Sequence, residues 1–185
     1  ELNAYIDHTL LNAFATPEAI SRLCDEAKKY SFYAVCVNSC HVYLASNELH
    51  KSEVKVVATI GFPLGASSTK SKREEAKRCV KDGADEIDMV LNIGYLKQNL
   101  YKNIREEISA VKRIIGKKTL KVIIETSLLT DAEKVIAEVA PHGLFVTLER
   151  GAAQTGIPGR DPESLLARGQ ALPFGAPQVL LHAAQ

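Results

Sequence analysis

No apolar run in this 185-residue sequence is long enough to span a bilayer, so no membrane helix and no membrane partner are expected. Charge of one sign is also missing. The net charge is +1, and no basic block or stripe stands out, which argues against nucleic acid as a partner. The Lys/Arg-rich piece Lys70 to Arg78 is interrupted by Glu74 and Glu75 and reads as a solvated helix face. Cysteine is scarce. Cys24, Cys36, Cys40 and Cys79 are irregularly spaced, which excludes a secreted disulfide framework and predicts reduced thiols. Cys36-x-x-x-Cys40-His41 does not have zinc-knuckle spacing and no second pair follows, so no metal site is expected. Glu1-Leu2-Asn3-Ala4 resembles no signal peptide, and a soluble, cytoplasmic protein is the expectation.

What is present is an alternation of two kinds of segment from residue 3 to about residue 147. Short apolar runs read as buried strands: Ala4 to Ile6, Tyr33 to Val37, Val54 to Ile60, Glu86 to Leu91, Leu120 to Glu125 and Leu144 to Thr147. Amphipathic helices lie between them. Thr16-Pro17-Glu18 opens the first, with Thr16 as N-cap and Ile20, Leu23, Cys24 and Ala27 on one face. The second runs from His41 to Leu49. The third starts near Ser67, turns Ala76, Cys79 and Val80 inward and stops at Gly83. The fourth covers Ile104 to Ile115, and Thr130-Asp131-Ala132-Glu133 opens the fifth.

Strand–helix repetition with short connections means parallel strands in an α/β fold, either an open doubly wound sheet or a closed barrel. No G-x-G-x-x-G follows the first strand, which lowers the dinucleotide-binding version. Polar residues inside apolar strands favour a TIM-type (β/α) barrel. Alternation places Lys121, Ile123 and Glu125 on one face of their strand, with Glu86, Asp88 and Val90 on the matching face of the preceding one. Asp88 and Lys121 are therefore expected to face each other in the lumen, either as a structural ion pair or as a proton-transfer site. Asp7, just past the first strand, and Cys36 in the second can join them.

The segments Ile6-Asp7-His8-Thr9-Leu10-Leu11, Val35-Cys36-Val37-Asn38, Ile60-Gly61-Phe62-Pro63-Leu64-Gly65-Ala66, Gly83 to Val90 and Leu120 to Thr126 resemble the deoxyribose-phosphate aldolase family in order and spacing. The resemblance covers about residues 3 to 146. It implies a barrel, a homodimer, no cofactor and a small sugar-phosphate substrate. The reaction it implies is reversible cleavage of 2-deoxy-D-ribose 5-phosphate through a lysine imine. It also implies that Asp88 and Lys121 belong to the proton relay, and that Asp7, Thr9 and Cys36 line the substrate pocket. The Gly61-Phe62-Pro63-Leu64-Gly65 loop is either part of a phosphate site or simply a tight turn that needs glycine.

The resemblance stops at the sixth strand. Thr147 stands where the family's imine lysine is expected, and no lysine follows Lys134. The sequence thus divides into a barrel portion, 1–147, and a Gly/Pro-rich segment, 148–185, in which Ser164 to Arg168 could form a helix and Gln178 to Leu181 a strand. About two β/α units of an eight-fold barrel are wanting. A changed reading frame or splice, omission of part of the chain, and a diverged non-catalytic relative all fit this break. Lys121 serving as the imine lysine is a further alternative.

Overall fold

The computed structural model describes residues 2–139, 146–148 and 178–181. Its strands are β1 (Ile6–Leu10), β2 (Ala34–Asn38), β3 (Lys55–Ile60), β4 (Glu86–Val90), β5 (Thr119–Ile123), β6 (Val146–Leu148) and β7 (Gln178–Leu181). The helices are α1 (Pro17–Tyr30), α2 (Val42–Leu49), α3 (Thr69–Lys81), α4 (Ile93–Lys97), α5 (Tyr101–Ile115) and α6 (Asp131–Val139).

The sheet order is β6-β5-β4-β3-β2-β1-β7. Strands β1 to β6 are parallel and lie in strict chain order, with no reversal. A doubly wound sheet needs a switch point where the order reverses; a barrel wall does not. This is the barrel arrangement. Strand β7 was expected from sequence as a short strand, and it pairs antiparallel with β1, beside which a complete barrel would place a parallel closing strand.

Alternation along the strands separates two faces. Val35, Val37, Val56, Ala58, Ile87, Met89, Leu120 and Val122 pack in one cluster with Ile20, Leu23 and Cys24 of α1 and Ile104, Ile108 and Val111 of α5. Burying such side chains contributes about 1.5–3 kcal/mol each. The opposite face carries Asp7, Thr9, Cys36, Glu86, Asp88 and Lys121, all buried. Both helix caps foreseen in the sequence form. Thr16 accepts from the Ala19 amide at 3.3 Å, and Thr130 and Glu133 make a reciprocal capping box at 2.8 and 3.3 Å.

Several boundaries differ from the sequence reading. Leu2–Tyr5 is a 3-10 turn rather than the first strand, so Asp7 lies within β1 instead of beyond it. The polar run Asp7-His8-Thr9 hid that strand. It is satisfied from both faces, because His8 meets Glu26 of α1 at 2.7 Å while Asp7 meets Lys121. Strand β5 ends at Ile123, and Glu125 takes a left-handed backbone (φ 51°) leading into a 3-10 turn. The short helix α4 was not foreseen. Lys72, read as part of a solvated face, is fully buried: its ammonium reaches Glu107 of α5 at 2.9 Å and the Val90 carbonyl at 2.8 Å. The lone-charge pattern of α3 gives no hint of the facing Glu107. The possible helix at Ser164 to Arg168 lies outside the described residues.

Candidate active site

Four residues from three strands converge on the polar face. Register sets Asp88 directly beside Lys121 on neighbouring strands. The Lys121 ammonium lies 2.7 Å from Asp7 Oδ2, 3.2 Å from Asp88 Oδ1 and 3.3 Å from Glu86 Oε2. Lys121, Asp7 and Asp88 are fully buried. The aligned hydrogen bond goes from Lys121 to Asp7. Asp88 Oδ1 and Glu86 Oε2 stay at ion-pair distance and receive no hydrogen bond. Two buried carboxylate oxygens with unused lone pairs are sites where a proton or a substrate hydroxyl can be received.

Three carboxylates around one ammonium cannot all be ionised without strong repulsion. Asp88 is the group that yields. Burial raises its pKa most, the Lys121 ammonium pulls it back, and Asp7 and Glu86 push it up again, leaving it at about 7. Lys121 moves the other way from an isolated buried amine. Burial favours its neutral form, but Asp88 and Asp7 outweigh that and hold it protonated well above the usual lysine range. This bears against Lys121 as an imine-forming amine, which must be neutral to attack a carbonyl.

The remaining sequence candidates are close by. Cys36 points its thiol at Asp88 Oδ2 from 4.0 Å, and burial together with Asp88 keeps that thiol protonated. Thr9 is buried and donates to the Asp7 carbonyl at 2.8 Å. Cys40 is exposed whereas Cys36 is buried, so the two do not share a site. Glu86 and Tyr33 were not singled out, although alternation already put Glu86 on the lumen face. The loop after β3 uses its own amides: Gly61 donates to Glu75 Oε2 at 2.9 Å and Gly65 donates to the Gly61 carbonyl at 2.8 Å. At Gly65 (φ 67°) a Cβ would lie 2.0 Å from the Leu91 carbonyl oxygen. Both observations favour the tight-turn reading of that loop over a phosphate site.

A stability consequence follows from the Asp88 shift. Its folded-state pKa, about 7, is raised above the reference 3.8. The stability Asp88 contributes is therefore fully present below 3.8 and is lost as pH rises through about 7. Asp88→Asn removes that loss. The unfolding free energy of this variant, measured in urea relative to the unsubstituted chain, should increase across that window and level off above it. A difference that is flat with pH would contradict the raised pKa.

A parallel wall in chain order with charged side chains on its inner face is the arrangement of a TIM-type α/β barrel, and the comparisons specify the family. The chain belongs to the DeoC/LacD family of aldolases, whose family model matches residues 2–179. It is 58% identical to the deoxyribose-phosphate aldolase of Finegoldia magna over 134 residues, covering 72% of this chain and 63% of that protein. The structure of an aldolase called QR15 superposes with a TM-score of 0.76 at 34% identity, covering 85% of this chain and 72% of that one. The tetrameric deoxyribose phosphate aldolase of Aeropyrum pernix superposes with a TM-score of 0.68 at 28% identity, covering 79% and 62%. This chain thus spans a little under two thirds of the curated relatives it matches. Among the described residues no helix is long and apolar enough to cross a membrane.

Proposed function

We propose that this site serves reversible cleavage of 2-deoxy-D-ribose 5-phosphate into D-glyceraldehyde 3-phosphate and acetaldehyde. The observation that supports it is Asp88, a buried carboxyl with its pKa raised to about 7, 3.2 Å from the Lys121 ammonium. Carbon–carbon cleavage needs a group that takes a proton from the substrate hydroxyl and returns one to the enamine carbon. Asp88 suits both directions, because neither of its protonation states is rare near pH 7. Lys121 stabilises the anionic state, and Asp7 holds Lys121 in place. Thr9 and Cys36 form the adjoining wall. The electrophile is an imine on a second, neutral amine, since Lys121 is held charged. The pairing of β7 with β1 supports reading 148–185 as part of the same domain. Assembly into a homodimer is part of the proposal and is tested by sedimentation.

One specific observation favours a second reading, a relative that binds the sugar phosphate without turning it over. Thr147 occupies the position on β6 where the resemblance calls for the imine lysine, and the carboxylates around Lys121 disfavour the neutral amine that an imine needs. Release of glyceraldehyde 3-phosphate by the purified chain, together with borohydride trapping in acetaldehyde and peptide mapping, separates the two. Catalysis predicts an adduct on a lysine other than Lys121 and a loss of roughly 10²–10⁴-fold in turnover for Asp88→Asn. Binding of the sugar phosphate with neither release nor adduct supports the second reading.

A further inference from the structure

The lumen network does not end at Lys121. The Tyr33 hydroxyl, at the N-terminal end of β2, donates to Glu86 Oε1 at 2.5 Å. The other oxygen of the same carboxylate, Oε2, lies 3.3 Å from the Lys121 ammonium. The Lys55 ammonium sits over the Tyr33 ring, 5.0 Å from its centroid. Glu86 is 2% exposed, whereas Tyr33 is only partly buried and Lys55 is exposed. A chain of polar contacts thus runs from Asp88 through Lys121 and Glu86 to the N-terminal face of the wall. That face lies opposite the strand ends where a substrate enters a barrel of this kind.

We propose that Glu86, oriented by the Tyr33 hydroxyl, is a positioning residue that sets how the Lys121 ammonium is shared and thereby governs the protonation of Asp88. The proposal rests on reading Asp88 as the acid/base group. The ammonium has three N–H donors and faces three carboxylates, of which Asp7 takes the one aligned bond. Glu86 and Asp88 compete for what remains, at 3.3 and 3.2 Å. Tyr33 satisfies one oxygen of Glu86, which lessens the demand Glu86 makes on Lys121. The groups facing Asp88 are Asp7 on β1, Cys36 on β2, Glu86 on β4 itself and Lys121 on β5, all coupled to it electrostatically. Strand β3 contributes Val57 and Thr59, which carry no charge, at the neighbouring positions. Glu86 is bonded to the Tyr33 side chain at the N-terminal end of β2.

Removing the Glu86 charge and removing the Tyr33 hydroxyl should have opposite effects. Glu86→Gln deletes a like charge near Asp88 and frees Lys121 to approach it, so Asp88 titrates at lower pH. Tyr33→Phe leaves Glu86 to lean harder on Lys121, so Asp88 titrates at higher pH. The midpoint is read from the carboxyl ¹³C shift of Asp88, assigned by its disappearance in Asp88→Asn. A downward move of about one pH unit is expected for Glu86→Gln and a smaller upward one for Tyr33→Phe. A merely structural role would change unfolding without opposite shifts in a remote titration. An unchanged midpoint in either variant, or shifts of the same sign, overturns the proposal. If Glu86→Gln does not fold, Tyr33→Phe alone decides it by the same criterion. The readout needs no turnover. If Asp88 is not the acid/base group, Asp88→Asn keeps its turnover whatever the titrations show, so the two failures are distinguishable.

Discussion

Lys121→Met should lose about 3–5 kcal/mol of stability near neutral pH, because it leaves three buried carboxylates with no cation among them. Methionine has nearly the same length and volume, so the loss is electrostatic rather than a packing defect. Its pH dependence identifies the cause. Without the ammonium, burial and the neighbouring carboxylates act on Asp88 unopposed and raise its folded-state pKa further. Carboxyls with raised folded values contribute stability fully below their unfolded pKa and lose it as pH rises through the folded one. Acidification towards pH ~5 should therefore return much of the loss, and urea unfolding at several pH values measures it. Equal destabilisation at acid and neutral pH would mean that charge is not what Lys121 supplies.

The second large effect is expected on the other side of the sheet. Lys72 of α3 and Glu107 of α5 form an ion pair with both side chains fully buried. Burial pulls the Lys72 pKa down and pushes that of Glu107 up, and each partner's charge works against that displacement. Lys72→Met strands Glu107 as an unpaired buried acid and should cost about 3–5 kcal/mol. The double variant Lys72→Met/Glu107→Leu leaves no orphan charge and should regain most of this, less about 1 kcal/mol for the lost bond to the Val90 carbonyl. A double-mutant cycle in urea unfolding gives the coupling directly. If the double variant is as unstable as the single one, the energy lies in the Val90 contact and not in the pair.

The wall and half of the site were legible in the sequence because they follow period-two alternation in apolar strands. That rule put Asp88, Lys121 and Glu86 on one face, where the structure has them. It failed at β1, whose central residues Asp7-His8-Thr9 look like a turn when only local hydrophobicity is counted. Their polarity is answered by Glu26 and Lys121, 18 and 114 positions away in the chain. The same blindness to distant partners concealed the burial of Lys72, since a charge run on a helix gives no sign that a glutamate waits on the next one. Tyr33 was read as part of a strand, and nothing in its neighbourhood announced that its hydroxyl would meet Glu86. The family likeness carried what local pattern could not, namely a reaction to attach to the residues.

The contact between Lys121 and Asp7 also works as a gauge of shape. Strands β1 and β5 stand four places apart in the sheet. On a flat ribbon of strands that would separate them by about 19 Å, more than the two side chains laid end to end can reach. Their charged tips meet at 2.7 Å, so the wall has to curl until its first and fifth staves look at each other across the hollow. Any motion that relaxes the bend pulls the ammonium from the aspartate and redistributes the charge around Asp88. Bending and proton affinity are thus two readings of a single coordinate.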